Sequence, residues 1–240
     1  MYNYIEGKKR INEILNSKVP VEEKEHIPND GYFTYENGIK SWVASLFVDI
    51  RKSTELFNSN DDIVIAKMIR TFSSEIVDIL NNSEFIQEVG IRGDCVYGIF
   101  DIADKTDLKE VLSAATNINC LIMLLNKLFK RKGYPEIQVG IGLGLNKDLI
   151  IKSGKKGSGI NDKIWIGKAV IDGCNNADLG SKYNNGVWFE SVVLSGLFYS
   201  NIEEFEEWKK LFNKKYYNNK YYYVGSPVYI EFERWVNEDA

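Results

Sequence analysis

The chain has 240 residues, 44% of them hydrophobic, and a formal net charge of −4. That is enough apolar material for one domain with additions, or at most two, and the acidic balance speaks against nucleic acid as the main partner. The 3 cysteines, Cys95, Cys120 and Cys174, are widely spaced and odd in number, which argues against a disulfide framework and reads as reduced thiols in a cytoplasmic protein.

No signal peptide opens the chain, and the longest apolar runs, such as residues 120–125, are too short to span a bilayer. Residues 3–17 read as a short helix with Ile5, Ile11, Ile14 and Leu15 apolar. A polar connector over 18–40 follows, with Pro20, Pro28, Asn29-Asp30-Gly31 and Asn37-Gly38 as turn signals. It holds the single histidine, His26, in a charged stretch with no partner histidine, where it reads as a solvated loop residue, which argues against a His-dependent base or a His-rich metal site. Residues 42–50 are the first strand, and Ser53-Thr54 beyond it suits a helix start.

Helical periodicity runs over 61–81, with Ile63, Met68, Ile69, Phe72, Ile76, Val77 and Leu80 apolar. Residues 84–89 and 94–100 read as a hairpin around Gly90 and Gly93. A long helix over 108–132 stops at Gly133-Tyr134-Pro135. Residues 138–145 alternate with glycine as a central strand. A Gly/Lys/Ser loop at 152–161, a short strand at 163–166 and a helix over 168–181 come next. Strands at 186–194 and 221–231 flank a helix at 202–213. The order β-α-β-β-α-β is the split βαβ arrangement of ferredoxin-like α+β folds. No internal repeat is present, and the one biased patch is the Tyr/Asn/Lys-rich stretch 214–223.

Chemistry concentrates at two aspartates. Asp49 ends the first strand beside a loop offering N–H groups and hydroxyls, a setting that suits a divalent metal carrying a phosphate chain. Asp94 sits at the tip of the hairpin. Taken singly, Asp49 is as well read as a helix cap and Asp94 as a turn residue. Two carboxylates on neighbouring strand ends suit a pair of metal ions, and a metal pair suits phosphoryl transfer.

Phe47-Val48-Asp49-Ile50-Arg51-Lys52-Ser53-Thr54, the Gly93-Asp94 hairpin, Val139-Gly140-Ile141-Gly142-Leu143-Gly144 and Gly167-Lys168-Ala169-Val170-Ile171-Asp172 follow one another in the order of the class III nucleotidyl cyclases, which the chain resembles over about 42–195. No Gly-Gly-Asp/Glu-Glu-Phe signature of the related diguanylate cyclases is present. The resemblance implies a ferredoxin-like palm domain with an antiparallel sheet and helices on one side. Residues 1–41 would be an N-terminal helical extension and 196–240 a C-terminal extension packed on the same domain.

It further implies that Asp49 and Asp94 bind two divalent cations, Mn²⁺ ahead of Mg²⁺, with the Ile50 carbonyl as an extra ligand. Residues 50–54 would hold the β- and γ-phosphates, with Ser53 and Thr54 as hydroxyl donors. Phe47 shares a strand face with Asp49 and would touch the nucleotide, or serve as core. Arg51 and Arg92 would add charge at the phosphates, or form surface salt bridges.

The departures from the family pattern matter as much. The adenine-reading lysine four residues before the second aspartate is Gly90 here, and its partner three residues before Gly167 is Ile164. A hydrogen-bonded adenine site is therefore unsupported. The Asn and Arg of the last catalytic helix become Ile171 and Asn175, so Asn175 keeps a hydrogen-bonding role but no charge.

Gly31-Tyr32-Phe33-Thr34-Tyr35-Glu36-Asn37-Gly38 leading into Trp42, with FVDIRKST and IRGD, resembles the stand-alone pyrimidine cyclases of bacterial anti-phage defence, the Pycsar systems. That subgroup implies conversion of UTP to cyclic UMP, with cyclic CMP from CTP as the alternative, and a separate effector protein that responds to the product. It implies a homodimer with composite sites, and neither nucleic acid nor membrane as a partner. A degenerate cyclase fold that binds nucleotide without turnover, and a binding module with purely structural carboxylates, are the competing readings. The aromatic tail after Val187 reads as a covering layer on the sheet, with a dimer seam as the alternative.

Overall fold

In the computed structural model, residues 1–155, 157, 159, 161–238 and 240 are described, Ser59 by its backbone alone. The Gly/Lys/Ser loop expected at 152–161 therefore lies partly outside the described residues. Helix α1 (Tyr4–Asn16) is capped by the Asn3 side chain, which accepts from the N–H groups of Ile5 and Glu6. Its apolar residues Ile5, Ile11, Ile14 and Leu15 stay exposed. The connector holds a short strand β1 (Val21–Glu23), parallel to the start of the long strand β2 (Gly38–Ile50). His26 is exposed, as expected, and its Nδ1 lies 3.1 Å from Oδ2 of Asp101.

Beyond β2 come α2 (Ser53–Ser59), α3 (Asp62–Asn81), the hairpin β3 (Ile86–Arg92) and β4 (Cys95–Asp101), α4 (Leu108–Arg131) and β5 (Val139–Gly154). β5, β2, β4 and β3 lie side by side in that order, each pair antiparallel. The first strand of the βαββαβ unit is thus central, as a ferredoxin-like sheet requires. β5 runs well past the residue 145 expected from sequence. Its second half pairs with both the start of β2 and the strand β6 (Asn161–Ile166), which keeps the backbone satisfied to Gly154.

Alternation decides what each face carries. On β2, Ala44, Leu46, Val48 and Ile50 are buried in one cluster with Phe72, Ile76 and Leu80 of α3 and Leu112, Ile118 and Leu125 of α4. Ser45, Phe47 and Asp49 take the other face. α4 is long and apolar enough to cross a membrane; here it is the central core helix, with most of its apolar residues buried.

Helices on one side hold for α3, α4 and the later helix that carries Phe198 and Ile202, all in one core cluster. Helix α5 (Lys168–Leu179) takes the opposite face, over β5 and β2. The cause is legible in the β5 glycines. A Cβ at Gly140, Gly142 or Gly144 would come within 3.0 Å of the α5 backbone, at Ala177, Gly173 or Ala169. Bare glycine lets helix and strand backbones touch. Ser45 Oγ donates to the Ala169 carbonyl at 2.7 Å, and Asn176 Nδ2 to that of Leu143 at 2.9 Å. The buried carboxylate of Asp148 accepts from the N–H groups of Ala169 and Val170 and so caps α5 from a neighbouring strand.

The C-terminal part differs from expectation. The strand expected at 186–194 is broken into β7 (Lys182–Asn184), β8 (Val187–Phe189) and β9 (Val192–Leu194). β9 joins the main sheet parallel to β5. In place of one helix at 202–213 stand α6 (Gly196–Ile202), capped by Ser195, and α7 (Glu206–Lys209). The biased patch 214–223 is the hairpin β10 (Asn213–Tyr217) and β11 (Lys220–Gly225), turned by Asn218-Asn219, both at positive φ. β11 pairs with β9, and Pro227 precedes a final helix α8 (Ile230–Glu238) where a strand to 231 is expected from sequence. Of the aromatic tail, Phe189 packs with Tyr217 and Tyr222 in a small cluster, while Trp188, Tyr216 and Tyr221 stay exposed.

Candidate active site

Asp49 lies near the C-terminal end of β2, directly across from Cys95 in the β2–β4 ladder. Asp94, at the tip of the β3–β4 hairpin, is therefore its neighbour. The two carboxylates feel each other. Burial raises the Asp49 pKa above the ordinary aspartate value, the Arg51 guanidinium opposes that, and the Asp94 and Asp178 charges add to it. The sequence thus brings Asp49 and Asp94 together as expected.

Arg51 is turned inward. Its side chain is 5% exposed; it donates to Oδ2 of Asp49 and, at 2.8 Å, to the backbone carbonyl of Asp178 near the end of α5. It faces Asp49 and α5. Lys52 follows in the left-handed region at φ 53°, turning the chain into α2, with Ser53 and Thr54 as its first residues. The N–H groups of a first helical turn have no partners inside the helix. Ser53 is half-buried and Thr54 exposed. Ile50 is buried at the end of β2.

Phe47 is 9% exposed and stacks on Tyr97, with ring centroids 5.3 Å apart. Tyr97 faces Gly90 across the hairpin. Its ring tip lies over the Gly90 Cα so closely that a Cβ there would clash with it. The Tyr97 hydroxyl donates to Glu88 at 2.8 Å, and Trp165 Nε1 donates to the same carboxylate at 2.7 Å. Burial and the Glu88 hydrogen bond push the Tyr97 pKa up to about 12, so the hydroxyl keeps its proton. Gly90, Arg92, Tyr97, Glu88, Phe33 and Lys163 border a cavity of about 480 Å³. On β6, Lys163 borders this cavity and Trp165 reaches Glu88, whereas Ile164 is exposed. On α5, Ile171 and Asn175 are exposed, facing away from the sheet.

Sequence reasoning missed Asp178, Tyr97, Glu88 and Trp165. Tyr97 was within reach: counting back from the Gly93-Asp94 turn pairs Arg92 with Cys95 and Gly90 with Tyr97. Asp178 and Trp165 carried no such signal, because only the packing of α5 and β6 brings them in.

Two cysteines flank Asp49. Burial, then the Asp49 charge, pushes Cys95 up to about 12, and burial also raises Cys174. Both are thiols at neutral pH. Cys174 is exposed and Cys95 only partly so. Iodoacetamide at pH 8 is expected to label Cys174 well before Cys95, which peptide mass spectrometry over a time course reads directly; equal rates would show that the Cys95 strand opens freely.

Among the described residues, no cluster of three or more His, Cys, Asp or Glu side chains is placed to hold a metal. The donor set still fits a hard divalent cation. Mg²⁺-type ions take one or two carboxylates and complete their shell with water and substrate phosphates, and the repulsion between Asp49 and Asp94 calls for positive charge between them.

A ferredoxin-like sheet with two neighbouring aspartates at the ends of its central strand and hairpin defines a class III nucleotidyl cyclase domain. Solved structures agree on the fold. The adenylyl cyclase CyaB from P. aeruginosa superposes with a TM-score of 0.61 at 16% identity, covering 78% of this chain and 95% of that one. The guanylyl cyclase Cya2 gives 0.60 at 12% identity, covering 80% and 95%. No family model matches the sequence. The uridylate cyclase of Treponema porcinum is 41% identical over 239 residues, covering 99% of this chain and 82% of that protein. The uridylate cyclase of Gulbenkiania mobilis is 29% identical, covering 99% and 97%. The chain is a nucleotidyl cyclase and belongs to the uridylate cyclase family.

Proposed function

We propose that the protein converts UTP to 3′,5′-cyclic UMP and diphosphate. The observation that carries this reading is the juxtaposition of Asp49 and Asp94, electrostatically coupled at one end of the sheet, in a chain whose relatives are uridylate cyclases. Asp49, Asp94 and the Ile50 carbonyl would hold two divalent cations, Mn²⁺ ahead of Mg²⁺. When bound, these supply the charge that activates the ribose 3′-hydroxyl and stabilises the departing diphosphate. The 3′-hydroxyl gives up its proton to solvent, its oxygen attacks its own α-phosphorus, and the bond from that phosphorus to the bridging oxygen of the β-phosphate breaks, releasing diphosphate. The reaction is intramolecular, so holding the two ends of one nucleotide in line does most of the work.

In the segment 50–54 the Arg51 N–H is held by the Gln138 carbonyl, and the other backbone N–H groups, with Ser53 and Thr54, hold the outer phosphates. Asn175 from the partner subunit of a homodimer donates to the ribose or α-phosphate. The exposed Ile164, Ile166 and Ile171 support such a seam. Phe47 and Arg92 border the nucleotide, and Gly90, covered by Tyr97, leaves no place for a lysine that reads adenine. The product acts as a second messenger on a separate effector in cytoplasmic anti-phage defence, as the family resemblance implies, and neither nucleic acid nor a membrane takes part.

Incubating the protein with ATP, GTP, CTP and UTP separately, with Mn²⁺, and identifying products by mass spectrometry tests this. Cyclic UMP is expected from UTP. Cyclic CMP as the main product would shift the base assignment, cyclic AMP would overturn the reading of Gly90 and Tyr97, and no product from any of the four would favour the degenerate fold. Gly90→Lys is expected to lose at least about tenfold in cyclic UMP formation, because the new side chain must displace the Tyr97 ring.

A further inference from the structure

Arg51 is the one buried lysine or arginine among the described residues. Its hydrogen bonds and ion pairs among the described residues go to carboxylates and carbonyls. Nη2 donates to Asp49 Oδ2 and, at 3.2 Å, to the Asp49 carbonyl; Nε reaches the same carbonyl at 3.4 Å. Nη1 donates to the Asp178 carbonyl at 2.8 Å and lies 3.7 Å from the Asp178 carboxylate. Its own N–H donates to the Gln138 carbonyl at 2.7 Å. Asp178 is in the last turn of α5, where carbonyls lack helical donors and the dipole favours a cation. Arg51 therefore ties together the end of β2 and the C-terminus of α5 through its guanidinium, and the entry to β5 through its backbone N–H.

A divalent cation at Asp49 would meet that guanidinium. Two cations sharing one partly desolvated carboxylate repel each other strongly at contact distance. Resting on the metal role given to Asp49 above, we propose that Arg51 is a positioning residue: in the metal-free protein it occupies Asp49 as a resident counter-cation, holds the carboxylate in place, and lowers its affinity for metal. With a cation bound, the Asp49 carboxylate would serve the cation and the guanidinium would keep its bonds to the Asp49 and Asp178 carbonyls. A metal alone then binds weakly, and occupancy requires the added negative charge of Asp94 and the triphosphate, so metal and nucleotide enter together.

The test is Mn²⁺ binding to the full chain without nucleotide, followed by electron paramagnetic resonance, with thermal melts with and without Mn²⁺. Arg51→Met is expected to bind Mn²⁺ at least about fivefold more tightly than wild type and to show a larger Mn²⁺-induced rise in Tm. Arg51→Lys, which keeps the charge, is expected to stay within about twofold of wild type. Should Arg51→Met fail to fold, Arg51→Gln, which can still donate to the Asp178 carbonyl, carries the same expectation of tighter binding. Unchanged or weaker Mn²⁺ binding in the neutral variant overturns the proposal, as does a Lys variant that behaves like Met. Asp49→Asn separates this from failure of the metal reading itself. If wild-type Mn²⁺ binding survives Asp49→Asn, both fall; if it is lost there but unaffected by Arg51→Met, the Arg51 proposal alone falls.

Discussion

Asp49→Asn is expected to lower cyclic UMP formation by about a hundred- to a thousandfold, a loss of the size seen when one charge-stabilising group is removed from a reacting centre. The substitution keeps volume and shape but removes the carboxylate that, with Asp94, concentrates negative charge at the sheet end. Its effect on folding should be small and of unusual sign. Burial raises the Asp49 pKa despite the opposing Arg51 charge. A carboxyl whose pKa is raised by folding contributes stability that is fully present below the ordinary aspartate value and is lost as pH rises through the raised value. At neutral pH the ionised group is therefore a net burden on the metal-free protein. Asp49→Asn should melt no lower than wild type at pH 7, with that advantage fading as pH falls, and its melt should be insensitive to Mn²⁺. Retention of more than about a tenth of the activity would make Asp49 a structural residue and defeat the mechanism. Lost activity together with a collapsed melt would mean that the carboxylate holds the fold instead.

The sheet and its two long helices were legible in the sequence because their signals are local. The periodicity over residues 61–81 anticipates the buried row Met68, Phe72, Ile76 and Leu80. Gly133-Tyr134-Pro135 stops α4 close to where it ends, and the Gly93-Asp94 pair turns the hairpin. Asp49 and Asp94 could be paired because each sits at the end of an identifiable strand.

What escaped depends on contacts far apart in the chain. The placement of α5 follows from the Gly140, Gly142 and Gly144 face, and alternating glycines in a strand show close backbone approach without saying by what. The inward turn of Arg51 depends on Asp178, more than a hundred residues away in sequence. The broken strands after Ser181 are short, with few residues to show a period. The stretch 221–231 reads as one strand because aromatic residues suit strands and helices alike when buried; Pro227 is what divides it, and the final helix packs on α4, with Lys127 donating to the Val236 and Asn237 carbonyls.

The glycine face of β5 also carries the largest expected stability effect. Gly142 pairs with Phe47, two residues from Asp49 along the same strand face. An added Cβ would come within 3.0 Å of the Ala177 N atom and the Gly173 carbonyl oxygen. These are backbone atoms of a helix, which cannot swing aside as a side chain can. Gly142→Val must either lift α5 off the sheet or bend β5, and overpacking against backbone sits at the upper end of the usual cost, about 3 kcal/mol, which for a chain of this size is a fall of roughly 6–12 °C in Tm. Because α5 carries Asn175 on its outer face and the Asp178 carbonyl that holds Arg51, lifting it should also disturb the surroundings of Asp49, so activity should fall further than the fraction unfolded explains. Gly31→Ala is the matched control: nothing lies within 4 Å of its added methyl, and its melt should stay within about 1–2 °C of wild type. Equal melts for Gly142→Val and Gly31→Ala would show that α5 is not seated on β5, and with it the link from the helix through Arg51 to Asp49 would be lost.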